Sequence, residues 1–345
     1  MAILGCGNMG TAILDGILAT LKQVEPSSLA RKPIHHDHIG LSQFIACVSR
    51  PESVAALEDR YRPYLDPNAA STWSSANGRS HSPTVSVWRN DNGKAVASAD
   101  VILLACQPSR VASILSDPSI RQHLHDKLLI SICVGVSAAR IHSLLSATDA
   151  ADRHGVDTTM GTATVTEQGC YIVHAMPNTA SGLGQSATVL STGSSTPGVS
   201  PTLSLPPALQ AFVTSIFRCI GTTTFVPAEL MNAASVVGAS TPAFFATALD
   251  GVVKGGVQSG LSESDALRLA AQAMKGTAEM VLRGMTADST VTLTPIQIKE
   301  SVMTPNGCTE RGVKVMAARR VEEAMTEATS QAIDRVFKLG QEAGI

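Results

Sequence analysis

Residues 3–14 read "ILGCGNMGTAIL", and this stretch decides the fold. Ile3 and Leu4 read as the end of a buried strand, Gly5, Gly7 and Gly10 as a tight turn, and Thr11 to Leu18 as the helix that follows. The order is GxGxxG, and each glycine has its own reason. Gly5 permits a sharp exit from the strand, Gly7 lets backbone approach a pyrophosphate with no Cβ in the way, and Gly10 lets helix and strand pack closely. The helix N-terminus adds free N–H groups and a partial positive charge that suit phosphate. Glycine-rich turns also serve packing alone, but here the turn sits between a strand and an amphipathic helix, as dinucleotide binding demands.

Outward from this turn, strand-like and helix-like segments alternate. "QFIACVSRP" from Gln43 reads as the second strand, followed by "TVSVW", a helix through Lys94 to Ser98, "DVILLACQP", a helix near Arg110 to Leu115, and "KLLISICVGV". "CYIVHAM" and "SATVLS" add two more strand-like runs. The alternation predicts a doubly wound parallel sheet, a Rossmann-type α/β domain. Stretches near 61–82, 147–169 and 191–207 lack periodicity and are expected to be loop insertions at the surface. The cluster His35, His36, Asp37 and His38 lies in a polar, turn-rich loop without partner ligands at recognisable spacing, so no metal site is predicted.

Beyond Phe225 the texture changes to Ala, Gly, Val and Ser at helical spacing. Ser262 with Asp265 forms a capping box, and apolar or small residues recur at 266, 270, 273, 277 and 280. The expected division is a dinucleotide-binding domain over 1–226 and an all-helical domain over 227–345. Ala/Gly-rich helices present more close-packing surface than one small domain can bury, which predicts dimerisation through them.

The bulk numbers agree. A chain of 345 residues is long enough for two domains, and a net charge of -2 offers no electrostatic case for nucleic acid or an anionic membrane surface. Hydrophobic residues make up 44% and aromatic ones 3%, a composition of Ala, Val, Leu and Ile suited to buried parallel strands. The seven cysteines are scattered and never spaced CxxC, which favours a reducing compartment. No leader pattern precedes the first strand and no uninterrupted apolar stretch reads as long enough to span a bilayer, so a cytoplasmic protein is expected.

Four stretches then carry a resemblance. "GCGNMG" at the start, "MPNT" at 176–179, "STPAFFATALDGVVKGGVQSGL" at 240–261 and "SVMTPNGCTERGV" at 301–313 resemble the pyrroline-5-carboxylate reductase family. The Pro-Asn-Gly-Cys-Thr run corresponds to that family's Pro-Gly-Gly-x-Thr signature. The resemblance runs from the first residue to about residue 320, interrupted by the insertions. It implies reduction of the cyclic imine pyrroline-5-carboxylate to L-proline by NADPH or NADH, the last step of proline biosynthesis, on a Rossmann domain followed by a helical domain that interlocks subunits as a homodimer, sometimes assembled further. Three departures stand out: Gln107 replaces a frequent lysine, Asn306 replaces the signature's first glycine, and Ala239-Ser240-Thr241-Pro242 replaces Gly-Ser-Gly-Pro. Asn tolerates positive φ better than most residues, so the signature loop is expected to keep its shape.

The resemblance assigns residues. Gly5, Gly7, Asn8, Met9 and Gly10 would hold the pyrophosphate. Ser49 and Arg50 follow the second strand, where a hydroxyl and a base favour the 2′-phosphate of NADP over NAD, although Glu52 is close by. Asn92 would lie near the adenosine. Ala105, Gln107 and Pro108 would lie along the cofactor, with Cys133, Gly135 and Asn178 near the nicotinamide. Thr304 to Thr309, including Gly307 and Cys308, would form the loop that binds the substrate carboxylate, with Val302 packed on the ring. Thr309 would hydrogen-bond the ring nitrogen as the catalytic residue. The plainer readings are a surface charge for Arg50, a turn residue for Asn178 and a helix N-cap for Thr309.

A protonated imine is already electrophilic, so hydride transfer needs orientation and exclusion of water rather than a strong base. Two rivals remain. A β-hydroxyacid-dehydrogenase-like enzyme would use a lysine with asparagine one turn later, and no lysine here has Asn three or four residues on. A non-catalytic NADP-binding sensor would not need the carboxylate loop.

Overall fold

The structure is a computed structural model that describes residues 1–22, 40–65, 83–146, 170–192, 205–284 and 293–342. The histidine cluster at 35–38 and most of the three expected insertions lie outside the described residues.

The apolar runs form β1 (Ala2–Leu4), β2 (Gln43–Val48), β3 (Thr84–Arg89), β4 (Val101–Leu104), β5 (Leu128–Ser131), β6 (Tyr171–Met176), β7 (Ser186–Thr192) and β8 (Gly221–Pro227). They hydrogen-bond in the order β3-β2-β1-β4-β5-β6-β7-β8. The first six are parallel in the doubly wound dinucleotide-binding order. β7 departs from the expected all-parallel sheet by running antiparallel to β6, and β8 is parallel to β7. The cause is the link between β6 and β7, a single 3₁₀ turn over Thr179–Leu183 closed by Gly184 at φ +67°. A parallel return needs a crossover of a dozen or more residues.

Helices cover both faces, which is why the strand sequences are apolar without alternation. On one face Ile3, Leu103, Ile130 and Val173 pack with Ile13 and Ile17 of α1 (Asn8–Lys22) and Val213 and Phe217 of α7 (Pro207–Arg218). On the other, Leu4, Ile102, Leu129 and Ile172 pack with α3 (Asn92–Ala97), α4 (Val111–Leu115) and α6 (Ala138–Ser146) through Val96, Leu115 and Ile141. α2 (Pro51–Arg60) and α5 (Pro118–Arg121) complete this part.

Three expectations change here. α1 begins at Asn8 rather than Thr11, so Gly10 is already helical, and a Cβ on it would lie 3.0 Å from Ile3 Cγ2. Tyr61, expected to open a surface insertion, is a core residue at 1% exposure. Its hydroxyl donates to Asp15 at 3.0 Å, and Asp15 is also held by Arg60. The 3₁₀ turn Arg62–Tyr64 and a bridge from Leu65 to Val85 carry ordered chain further. Likewise β7 reaches Thr192 and α7 starts at Pro207, so both ends of the third expected insertion are regular structure.

The chain forms two compact units, Met1–Ala239 with Ile333–Ile345, and Ser240–Ala332. The expected boundary at 226/227 precedes this division because Met231 of α8 (Met231–Ser235) still packs on Met176 and Val189 of the sheet. A π-helical segment, Val236–Ser240, joins α8 to α9 (Thr241–Gln258). Next come α10 (Glu263–Gly284), α11 (Pro295–Ser301), α12 (Cys308–Ala318) and α13 (Val321–Glu342). The Asp265 N–H donates to Ser262 Oγ at 3.1 Å, so the expected cap of α10 forms. Of the stripe at 266, 270, 273, 277 and 280, only Ala266 is buried within one chain.

The helical run Ala228–Gln258 is long and apolar enough to cross a membrane by length and composition, which corrects the expectation that no such stretch exists. Small residues hid it, since Ala, Gly and Ser dilute the apolar pattern that marks a span.

Candidate active site

In the first unit the chain leaves β1 through Gly5 at φ +86°, where a Cβ would come within 2.8 Å of the Cys106 Cα. The Gly5 and Cys6 N–H groups donate to the Cys47 carbonyl, and the Gly7 N–H donates to the Gly5 carbonyl at 2.7 Å. Gly7 is different: a Cβ there would meet nothing closer than 4.0 Å, and the residue is exposed. Packing explains Gly5 and Gly10, whereas the space over Gly7 is left for something else. The first helical bond, Thr11 N–H to the Gly7 carbonyl, leaves the N–H groups of Asn8, Met9 and Gly10 ahead of it. No acidic residue occupies this first turn. The cradle therefore fits a diphosphate.

Ser49 and Arg50 are exposed beyond β2, and Arg50 makes no ion pair among the described residues. Sequence reading missed Arg89, the last residue of β3, whose Nε donates to the Ser49 carbonyl at 3.3 Å. Its signal was the strand register, which sets Arg89 beside Val48. Asn92 is the first residue of α3, and Gln107 is exposed beyond β4. Cys133 is buried, with its thiol 3.3 Å from the Cys106 carbonyl oxygen, and Gly135 turns at φ +76°.

Asn178 is the N-cap of the turn between β6 and β7. Its Oδ1 accepts from the Ala180 N–H at 3.0 Å, and its Nδ2 donates to the Gly238 carbonyl at 2.9 Å. Both ends of the amide are used to tie the β6–β7 turn to the π-helical segment.

His174, on β6 and paired with Ser131, is buried, and its Nε2 has no hydrogen-bond partner. Burial lowers its pKa to about 4, against a backbone hydrogen bond to Cys133 that raises it. The unfolded chain would take up the proton first as pH falls below about 6.5, so stability should be lost between about pH 6.5 and 4 and be unaffected above that window. Urea unfolding at pH 7 and 4.5 should show wild type losing about 2–3 kcal/mol more than His174→Gln. Equal losses would refute this.

In the second unit, Thr304 to Gly307 is a tight turn with the Gly307 N–H donating to the Thr304 carbonyl at 2.9 Å. Asn306 adopts φ +61°, as expected of the residue that replaces glycine. A Cβ on Gly307 would lie 2.3 Å from Thr304 Oγ1 and 3.0 Å from the Thr304 carbonyl oxygen, so a larger residue here would have to turn the Thr304 hydroxyl away and ease the turn open slightly. The N-cap of α12 is Gly307, not Thr309, because the turn brings Gly307 into the extended backbone that precedes a helix. Thr309 sits half-buried in the first helical turn. The first helical bond here, Arg311 N–H to the Gly307 carbonyl, leaves the N–H groups of Cys308, Thr309 and Glu310 ahead of it. The Glu310 carboxylate accepts from the Asn306 N–H at 2.7 Å and pairs with Lys314, and these two contacts hold its pKa down, Lys314 first. Val302, at the end of α11, is exposed.

Comparison with known proteins agrees with this geometry. Residues 228–339 match the profile of pyrroline-5-carboxylate reductase dimerisation, and residues 1–135 that of NADP oxidoreductase, coenzyme F420-dependent. A pyrroline-5-carboxylate reductase from Lophium arboricola is 34% identical over 99% of this chain and 93% of its own. One from Neurospora crassa is 33% identical over 95% and 92%. Among solved structures, a pyrroline-5-carboxylate reductase from Coxiella burnetii superposes with a TM-score of 0.66 at 20% identity, over 98% of this chain and 97% of that one. The Plasmodium falciparum enzyme with NADP bound gives 0.63 at 18% identity with the same coverage. The chain is a member of the pyrroline-5-carboxylate reductase family.

Proposed function

We propose that this protein is a pyrroline-5-carboxylate reductase, which reduces the cyclic imine L-1-pyrroline-5-carboxylate to L-proline with NADPH, NADH serving less well. One observation carries the reading: a single chain, 34% identical over 99% of its length to a pyrroline-5-carboxylate reductase, holds both the glycine turn after β1 and the Thr304–Thr309 turn that opens α12. Bound nicotinamide supplies the hydride.

The chain's own residues bind and orient. The N–H groups of Asn8, Met9 and Gly10 hold the pyrophosphate, and Gly7 leaves it room. Ser49, Arg50 and Arg89 offer one hydroxyl and two guanidinium groups to the 2′-phosphate, while Ala105, Gln107 and Pro108 line the cofactor and Cys133 and Gly135 its nicotinamide end. The free N–H groups at the start of α12 bind the substrate carboxylate, and Val302 covers the ring. The Thr309 hydroxyl accepts from the iminium N–H and fixes the imine carbon for attack. A threonine hydroxyl is a poor acid at neutral pH, so water supplies the proton that makes the iminium.

Initial rates of NADPH and NADH oxidation with pyrroline-5-carboxylate test this directly, and absence of turnover in a protein that binds NADPH would overturn it. Arg50→Ala and Arg89→Ala should each raise the KM for NADPH roughly tenfold, as loss of a hydrogen bond to a charged group does, and leave NADH unchanged. Equal effects on both coenzymes would remove the 2′-phosphate from the account.

Two copies associate through the helical unit, and the Ala228–Gln258 run serves that association rather than a membrane. The match of 228–339 to a dimerisation profile supports this, together with the exposed Phe245, Val252, Leu267, Leu269 and Leu282. The compartment is the cytoplasm, in keeping with seven free thiols of which five are buried. Detergent-free protein sedimenting at micromolar concentration should be a dimer or larger. A monomer, or a chain soluble only in detergent, would contradict the reading.

A further inference from the structure

β4 and β5 pair in parallel with Leu104 beside Ser131, and the ladder continues past the strands through the Ile132 N–H to the Leu104 carbonyl at 3.0 Å. Extended two residues beyond the strands, the same register would set Cys106 beside Cys133. Neighbouring strands lie about 4.8 Å apart, within the roughly 4.4–6.8 Å Cα separation of disulfides. The Cys133 thiol is already 3.3 Å from the Cys106 carbonyl oxygen and 3.5 Å from that of Leu104. Cys133 is buried, while Cys106 is half-buried and backs the Gly5 turn, with its Cα and Cβ 2.8 and 3.0 Å from where a Gly5 Cβ would stand.

We infer that Cys106 and Cys133 are a redox-responsive dithiol beneath the glycine turn, which a hydroperoxide converts to a disulfide that weakens dinucleotide binding. The consequence for the dinucleotide rests on the reading above; the formation of the disulfide does not.

The two thiols are unequal in a useful way. A hydrogen bond from Cys133 holds the Cys106 thiol below its ordinary pKa, with Arg110 adding to the effect, while the same contact and burial push Cys133 up. Cys106 is thus the member with thiolate character and partial access, the one a peroxide meets. Its sulfur attacks the O–O bond of hydrogen peroxide, is oxidised to the sulfenic acid, and one water leaves. Cys133 sulfur then attacks Cys106 sulfur, the S–S bond forms, the S–O bond breaks, and a second water leaves with the remaining thiol proton. Two thiols and one peroxide become a disulfide and two waters, and a dithiol reductant reverses the change. Transient disulfides of this kind are the form expected in a reducing compartment. Drawing Cys106 toward Cys133 moves the backbone against which Gly5 is fitted, with the least clearance in the cradle.

Full-length reduced protein is treated with a few equivalents of hydrogen peroxide, alkylated, digested and mapped by mass spectrometry, with NADPH affinity read in parallel by fluorescence. The expected result is a Cys106–Cys133 cross-linked peptide that disappears with dithiothreitol. NADPH affinity should fall about tenfold and recover on reduction. Cys106→Ala should keep its own untreated affinity after peroxide. Alkylated, free Cys106 and Cys133 in protein whose exposed Cys308 has been oxidised would overturn the inference, as would equal loss of affinity in Cys106→Ala. Reduced wild type that binds no NADPH would instead sink the cofactor reading and leave the cross-link result legible.

Discussion

Gly5→Ala is expected to lose NADPH binding by at least about a hundredfold and to unfold at lower denaturant, whereas Gly7→Ala should lose binding alone. Gly5 combines φ +86° with backbone of Cys106 only 2.8 Å from the added Cβ. Positive φ in a non-glycine residue costs about 1–3 kcal/mol by itself, and here the turn must also move away from Cys106. The turn that moves is the one that sets the start of α1, so the N–H groups of Asn8, Met9 and Gly10 lose their common aim. At Gly7 the added carbon meets no protein atom closer than 4.0 Å, so it harms the fold little and takes up only the room left for pyrophosphate. Fluorescence titration with NADPH and urea unfolding of both variants give the comparison. If Gly7→Ala bound NADPH as wild type does, the open space would not be a phosphate seat.

The second large effect is expected at Thr309. Thr309→Val keeps the shape and removes the hydroxyl, and kcat/KM for pyrroline-5-carboxylate should fall about a hundredfold, within the range for a group that orients or exchanges a proton. NADPH binding should not change. Because Gly307 rather than Thr309 caps α12, thermal stability should not change either, and Thr309→Ser should recover most of the rate. Full activity in Thr309→Val would leave the α12 turn as a carboxylate site and take the imine nitrogen away from this residue.

Much of the fold was legible because it is local. The glycine turn, the apolar strands and the order of strand and helix each follow from a few consecutive residues, and the doubly wound order follows from their alternation. The antiparallel β7 was not legible, because it depends on Gly184 reversing the chain within one short turn. Tyr61 looked like the edge of a loop because a proline-bearing stretch follows it, and only its Asp15 partner, distant in sequence, shows it to be core. The same holds for the site. Gly5, Gly7, Gly10 and the 304–309 turn announce themselves in runs of residues, whereas Arg89 reaches Ser49 across 40 positions through strand register. The bond from Asn178 to the Gly238 carbonyl was not legible either, because nothing in the sequence marks a partner 60 positions away.

Within Ser240–Ala332, the described residues whose side chains are buried in one chain come down to Val253, Ala266 and Ile298. Three such side chains do little to offset the ordering of so many helical residues, so under the proposed association the stability of this unit depends on the second copy that covers it. Abundance would then set survival in the cell: dilute, newly made chains would be the ones presented to proteases, and a variant subunit that still associates would draw normal copies into mixed assemblies. A mutation on this face would act through dosage, with no change at either half of the chemistry.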